Sequence, residues 1–265
     1  MNVFNRKLGL QLNYFFVLIF IYLPIFLMIA LSFNESKYFN QWTGFTFKWY
    51  RQLFENQNLI SAFNNSVIVA LSSTILSIVF GFGIALFMFR VKSRFSKTIE
   101  KFIYVPIVIP DVTMAAMMLV FFVFLSNFID LKLGTLTTII SHTAFNISFV
   151  AVLIGSKFTR KLKVLEEAAS DLYANNVQVI KHITLPFVMP AIYASIILSF
   201  ILSFDEVVIS MFVTGPGSTT LPVYVFSMIK KGITPVVNSI SSLMLIFSLI
   251  LVSGVLVLSG KDELK

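Results

Sequence analysis

The sequence is poor in charge and contains no cysteine. Charged residues make up 12% of its 265 residues, about half of the roughly 25% that is usual in soluble domains. This shortage, together with a hydrophobic content of 57%, excludes water as the only solvent of the chain. The lack of cysteine excludes disulfides, thiolate metal ligands and cysteine nucleophiles.

Motifs of catalysis and of nucleotide binding are also missing from the sequence. The GSTT segment, residues 217–220, lacks the upstream glycine and the lysine of a phosphate-binding loop. The chain has two histidines, and neither the H-E-x-x-H nor the G-x-S-x-G pattern occurs in it. We therefore expect a non-catalytic protein that has no metal site and binds no cofactor itself.

Long apolar stretches dominate the sequence instead. A helix that crosses a membrane needs about 20 predominantly apolar residues. Stretches of this kind run over residues 14–33, 67–89, 102–128, 136–155, 191–213 and 239–259. The chain is thus predicted to be an all-α integral membrane protein with six transmembrane helices, forming one domain over residues 1–265.

The basic residues predict the orientation of these spans, because cytoplasmic loops of membrane proteins are enriched in Lys and Arg. Most of the 20 basic residues lie at the two ends of the chain or in the second and fourth loops. The exceptions are Lys37, Lys48, Arg51, Lys132, Lys230 and Lys231. We therefore expect a multi-pass protein of the plasma or inner membrane, with cytoplasmic termini and a cytoplasmic fourth loop over residues 156–190.

The most polar segment of the chain, EEAASDLYANNVQVIKHITLP over residues 166–186, lies in that fourth loop. One apolar helix face is predicted by the spacing of Leu165, Ala168, Ala169 and Leu172. Asn175 and Asn176 are expected to end this helix and to cap a second one, and Pro186 should move Leu185 out of helical geometry. The pattern predicts two short helices with a shallow apolar surface, although an amphipathic loop that lies on the membrane has the same periodicity.

This segment resembles the EAA loop of ABC-importer permeases. In that family an E-A-A triplet is followed by a short spacer, a glycine and, further on, I-x-L-P. The triplet Glu167–Ala169 and the I-T-L-P of residues 183–186 match, and Tyr173 occupies the position of the family's glycine. The resemblance implies that the loop couples the permease to a cytoplasmic ATPase through Glu166, Glu167, Ala168, Ala169, Leu172, Tyr173, Ile183, Leu185 and Pro186.

From about Asn64 onward the chain is similar to the second permease subunit of spermidine/putrescine importers, most specifically over residues 204–246. The resemblance implies an ABC type I importer permease that works by alternating access. It also implies three partners: a second permease subunit, an ABC ATPase dimer that binds ATP and Mg, and an extracytoplasmic polyamine-binding protein. Two alternatives stay open, namely a permease for another small solute of the iron, thiamine or phosphonate type and an ATP-independent cation carrier or channel.

Acidic residues inside the apolar stretches indicate a candidate substrate path. Asp111, Asp205 and Glu206 lie in predicted spans, where a charge is costly unless it faces the bundle interior or a cavity. Together with Ser203 and Tyr193 they are predicted to line a path for a cation, which carboxylates and aromatic faces attract. The alternative is that these acids and serines serve helix packing.

Two further features of the predicted spans concern their shape and interior. Pro106 and Pro110 predict a kinked third helix, because proline frees a backbone carbonyl and clashes with the preceding turn. His142 is predicted to be a buried residue that makes hydrogen bonds. Ser195, Ser199, Ser203 and Ser210 share the helical spacing of Glu206 and predict a small polar stripe along a continuous fifth helix.

Overall fold

Long apolar stretches become helices in this protein because a backbone in lipid satisfies its N–H and C=O groups internally. The computed structural model describes residues 3–37, 41–232 and 234–260, and the side chains of 10–37, 41–232 and 234–254. The first half of the chain forms α1 (Val3–Leu31), α2 (Lys48–Glu55), α3 (Gln57–Arg90), α4 (Arg94–Val108), α5 (Asp111–Ser126) and α6 (Thr135–Gly155). The terminal residues 1–2 and 261–265, on which part of the orientation prediction depends, lie outside the described residues.

The second half of the chain is helical as well. It forms α7 (Arg160–Asp171), α8 (Asn176–Val179), a π turn (Ile180–Thr184), α9 (Leu185–Phe204), α10 (Val208–Val213), α11 (Leu221–Lys230) and α12 (Pro235–Gly260). Over the described ranges the extended structure amounts to an isolated bridge between Asn34 and Phe45. Five helical stretches of this part of the chain have the length and hydropathy of membrane spans, and six result when α4 and α5 are taken as one bent span.

The third span bends at a proline, as predicted, but the bend is a break between two helices and not a kink within one helix over residues 102–128. The axes of α4 and α5 are bent by 111° at a short break. Ile109 is extended, with φ −72° and ψ 135°, as expected of a residue that precedes a proline. Pro110 itself provides the N-cap of α5, because its missing N–H costs nothing where the helix begins.

The fifth span is also interrupted, which corrects the expected continuous helix over residues 191–213. Helix α9 ends at Phe204 and α10 begins at Val208. In the intervening segment, Oε1 of Glu206 accepts a hydrogen bond of 2.8 Å from the backbone N–H of Ile209. The acid therefore caps the N-terminus of the short helix α10, a position that favours a negative charge.

The expected helix end before Pro186 is wrong for a different reason. The chain stays helical from Asn176 to Phe204, because the turn before the proline widens into a π turn. In this turn the N–H of Leu185 donates to the carbonyl of Ile180, five residues earlier. A π turn of this kind accommodates the irregularity without ending the helix.

The contacts between residues divide the chain into two compact units. The single domain over residues 1–265 stays a prediction. The first unit comprises Met1–Ile60 and Val225–Phe247, and the second comprises Ser61–Tyr224 and Ser248–Lys265. Within the first unit, the indole N–H of Trp49 donates to the carbonyl of Asn34 over 2.6 Å. The second unit contains the fourth loop and all the predicted site residues.

Two apolar clusters form the core of the second unit. One of them joins α3, α6, α7 and α9 through Ala85, Val150, Ile154, Leu162, Val188, Ala191 and Ile192. The other joins α5, α6 and α10 through Met114, Ala115, Phe122, Phe145, Ile209 and Val213. Gly81 permits the close approach of α3 to α6, because a Cβ there would lie 2.6 Å from Cγ1 of Val150, whereas Gly83 has no such neighbour within 4 Å.

Candidate coupling loop and substrate site

The first helix of the fourth loop, α7, ends in a left-handed turn at Tyr173. The N–H of Ala174 donates to the carbonyl of Ala169 over 3.1 Å, and the N–H of Tyr173 donates to that of Ser170 over 3.0 Å. This pair of bonds is a Schellman motif, in which the residue at Tyr173 adopts positive φ, usually as glycine. Its φ is 63°, so tyrosine retains the turn at a cost of roughly 1–2 kcal/mol.

The second helix of the loop, α8, begins with a capping box. Oδ1 of Asn175 accepts from the N–H of Gln178 over 2.9 Å, and Oε1 of Gln178 accepts from the N–H of Asn175 over 2.8 Å. Each side chain thus satisfies a backbone donor that the helix start leaves unpaired. The predicted capping of a second short helix is confirmed for Asn175, whereas Asn176 is the first residue of α8 and α7 already ends at Asp171.

Apolar side chains on these two helices face solvent. Leu172 is 82% exposed, Tyr173 97% and Val177 72%, and Leu165 and Ala168 are exposed beside them. We call these five residues the coupling surface. An exposed apolar patch on an otherwise polar loop is typical of a protein–protein contact.

The remaining residues predicted to act in coupling lie away from this surface. Oε1 of Glu166 accepts a hydrogen bond from Nη2 of Arg90 over 3.1 Å and another from the hydroxyl of Thr184. Ile183 and Leu185 pack against the core that α3, α6, α7 and α9 share. Glu166 therefore ties α7 to the end of α3 and to the π turn, a role that charge alone did not reveal in the sequence.

Glu167, Ala169 and Pro186 complete the predicted coupling set. Glu167 is exposed and forms an ion pair of 3.4 Å with Lys163 on its own helix. Ala169 is half-buried, and Pro186 is exposed near the start of α9. Glu166, which precedes the E-A-A triplet, thus faces the bundle, whereas Glu167, the first residue of the triplet, faces solvent.

The interruptions of the third and fifth spans bring acidic residues together. Asp111 is the first residue of α5, and Glu206 lies in the break before α10. Helices α5 and α10 pack against each other through one apolar cluster, and the carboxylates of Asp111 and Glu206 are within electrostatic range of each other. Broken helices near the middle of a transporter are typical places for a substrate site.

Asp205, next to Glu206, is exposed and its Oδ2 accepts a hydrogen bond of 3.2 Å from the hydroxyl of Ser248. Tyr193 is also exposed, but it lies twelve residues earlier in α9, roughly 18 Å along the helix axis. The structure therefore brings Asp111 and Glu206 together, with Asp205 next to Glu206 in the chain, and leaves Tyr193 apart from them. Among the described residues, no group of three or more acids and histidines has the geometry of a metal site.

The polar stripe of α9 faces the bundle interior. Ser195, Ser199 and Ser203 are buried, and Nδ2 of Asn146 in α6 donates to the carbonyl of Ser199 over 3.2 Å. The hydroxyl of Ser203 lies 2.7 Å from Nδ1 of His142. These serines lie between packed helices, as expected of small residues at a helix–helix contact.

Comparison with known proteins decides the family. Residues 77–260 match the family described as the binding-protein-dependent transport system inner membrane component. The chain belongs to this family. It is 36% identical over 233 residues to the spermidine/putrescine transport system permease protein PotC of Escherichia coli, covering 88% of this permease and 87% of that protein. The putrescine transport system permease protein PotI of Escherichia coli is 36% identical over 229 residues, with 85% and 82% covered.

Solved structures show the same fold. The permease superposes with a TM-score of 0.78 on a chain of a bacterial ABC transporter involved in the import of the acidic polysaccharide alginate. The identity is 17%, and the match covers 97% of the permease and 96% of that chain. The predicted fold class, an all-α bundle of the ABC importer permease type, is confirmed, and the predicted six membrane spans result when α4 and α5 count as one bent span. The permease is a multi-pass membrane component of a transport system.

Proposed function

We propose that the permease imports polyamines of the spermidine and putrescine class as one subunit of an ATP-driven importer. The observation that carries this proposal is the identity of 36% with two polyamine permeases over more than four fifths of the chain. The likeness to the alginate transporter supports the fold alone, because the identity is 17%. The substrate is therefore inferred from the two polyamine permeases that are 36% identical.

The chemistry of the helix breaks supports a cationic substrate. Asp111, Asp205 and Glu206 place carboxylates at the interrupted spans, where they attract an opposite charge. A polyamine carries several ammonium groups that such carboxylates bind as charge-assisted hydrogen bonds. An anionic solute, such as a phosphonate, would be repelled by the same set.

The coupling surface supports the inference that a partner protein binds there and supplies the energy for transport. We infer that it docks on a cytoplasmic ATPase dimer, which binds ATP and Mg, while the permease itself carries no catalytic site. Glu166, Arg90 and Thr184 would transmit the movement of the docked loop to α3 and α9. A rigid transmission of this kind suits a switch between two packed states, as alternating access requires.

The remaining partners follow from the same assignment. A second permease subunit would complete the transmembrane pathway, and an extracytoplasmic polyamine-binding protein would deliver the substrate. This arrangement requires the fourth loop, and with it both termini, on the cytoplasmic side. An ATP-independent carrier or channel would have no use for an exposed apolar surface on that loop.

Uptake of labelled spermidine by the importer reconstituted in proteoliposomes tests the substrate assignment. Glu206→Gln removes the charge and keeps the oxygen that caps α10. We expect the half-saturating spermidine concentration to rise about tenfold, because a hydrogen bond to a charged group contributes roughly 1.5–3 kcal/mol. Asp130→Asn, which removes an exposed charge from the loop after α5, should leave the kinetics unchanged.

Two results would contradict the proposal. Identical kinetics for Glu206→Gln and the unaltered permease would remove Glu206 from the substrate path. ATP-driven uptake of an anionic solute by the unaltered importer, without uptake of spermidine or putrescine, would overturn the substrate class itself.

A further inference from the structure

A buried histidine joins the two sides of the break that carries Asp205 and Glu206. His142 lies in α6 and is almost fully buried. Its Nδ1 is 2.7 Å from the hydroxyl of Ser203, near the end of α9, and its Nε2 is 2.9 Å from that of Ser210 in α10. One imidazole ring thus contacts the helix before the break and the helix after it.

One assignment of the protons satisfies all the hydrogen bonds around this ring. The hydroxyl of Ser73 in α3 donates to the carbonyl of Ala70 over 3.2 Å, so it accepts from Ser203, whose hydroxyl lies 2.9 Å away. Ser203, having donated its proton, accepts from Nδ1–H of His142. A neutral imidazole with a proton on Nδ1 accepts at Nε2, and Ser210 therefore donates to it.

This chain of hydrogen bonds connects four helices at one point, namely α3, α6, α9 and α10. Residues 205–207 lack the regular helical ladder, so their course depends on how the ends of α9 and α10 are held. The cap that Glu206 forms on Ile209 fixes one end of the segment. The imidazole fixes the separation of the two helix ends, since it contacts both through a rigid ring.

We propose that His142 is a positioning residue for the acidic segment: it holds the two halves of the fifth span so that Glu206 keeps its place beside Asp111. The role of these acids in binding a cation rests on the proposed function, whereas the structural role of His142 does not. The histidine acts through the helix ends that it joins.

Cysteine labelling tests the positioning role independently of transport. Because the chain has no cysteine, Val207→Cys introduces a single reporter into the break. We expect His142→Leu to change the rate at which a small cationic thiosulfonate reagent modifies this cysteine by roughly fivefold or more, about the worth of one net hydrogen bond. Asp130→Cys, in the loop after α5, should react at the same rate in both backgrounds.

A matched control distinguishes the effect of losing His142 from the effect of losing any other buried polar side chain of α6. Ser141→Ala removes a buried hydroxyl that donates only within its own helix, to the carbonyl of Thr137 over 2.8 Å. It should leave the labelling of Val207→Cys unchanged. Equal labelling rates for Val207→Cys with and without His142 would overturn the proposal.

Variants that keep one contact make the test independent of the folding of His142→Leu. His142→Asn retains a polar group near Ser203, and His142→Gln retains one near Ser210. Each of these two variants should change the labelling rate less than His142→Leu does, because one contact remains. If His142→Leu does not assemble, each should still differ measurably in labelling rate from the unaltered histidine. Labelling indistinguishable from that of the unaltered histidine in both variants would equally contradict the positioning role.

A double-mutant comparison in uptake then separates this inference from the proposed function. If His142 acts on transport through the acidic segment, His142→Gln raises the half-saturating spermidine concentration and has no further effect in a Glu206→Gln background. Additive effects would refute that route. A labelling change without any effect of Glu206→Gln on uptake would retain the positioning role and reject the proposed substrate site.

Discussion

The glutamate of the E-A-A triplet and the glutamate just before it offer a sharp test of how the coupling loop is held. Glu166 is 12% exposed and joined to Arg90 and Thr184, whereas Glu167 is 62% exposed and pairs with Lys163. The two side chains have the same chemistry and neighbouring positions on α7. Replacing each by alanine in turn therefore compares an internal contact with a surface contact.

The expected magnitudes differ widely. Glu166→Ala removes two hydrogen bonds to a charged group, each contributing roughly 1.5–3 kcal/mol. Arg90 is 27% exposed, so water compensates part of this loss, and we expect the free energy of local opening of the loop to fall by about 2–3 kcal/mol. Glu167→Ala should lower it by less than about 1 kcal/mol, as is usual for a surface ion pair.

Amide hydrogen exchange of the purified importer measures this opening directly. Because every 1.4 kcal/mol corresponds to a factor of ten, Glu166→Ala should accelerate exchange in α7 and α8 roughly 30- to 150-fold. Glu167→Ala should accelerate it less than about fivefold on the same scale. Equal exchange in the two variants would refute the idea that Glu166 ties the loop to the bundle.

Three further predictions concern other parts of the permease. Tyr173→Gly should relieve roughly 1–2 kcal/mol of left-handed strain and slow amide exchange in α7; faster exchange would contradict it. Gly81→Ala should lower the midpoint of thermal unfolding because its Cβ meets α6, whereas Gly83→Ala, with open space, should not; equal midpoints would contradict this. The combined Glu167→Lys and Ala168→Asp substitutions should abolish co-purification of an ATPase subunit; its recovery would rule out docking there.

Local patterns in the sequence determined the helical class and the fourth loop. Membrane-length apolar stretches leave the backbone few alternatives to helix, so their existence follows from composition. The capping of α8 by Asn175 was likewise predictable, because the cap and Gln178 are only three residues apart in the chain. The left-handed turn at Tyr173 did not follow from the residue itself, because tyrosine resists positive φ, and only the family resemblance marked the position as that of a glycine.

The predictions that failed concern where helices are interrupted. A continuous fifth helix was expected because residues 191–213 are apolar and helical in spacing. The break at residues 205–207 is flanked by Ser203 and Ser210, which both contact His142, a residue at least 61 positions away in the chain. Pro186 was expected to end a helix, but the π turn before it accommodates the proline and the helix continues.

The sequence by itself determined which residues are acidic, apolar or prone to turn, because hydrophobicity, charge and helix capping act over a few neighbouring residues. Only the tertiary structure decided that Glu166 faces inward while Glu167 faces solvent, and that Asp111 and Glu206 lie near each other. These outcomes depend on partners 76 residues away in the case of Arg90 and Glu166. Such pairings arise from the packing of whole helices, and no local pattern encodes them.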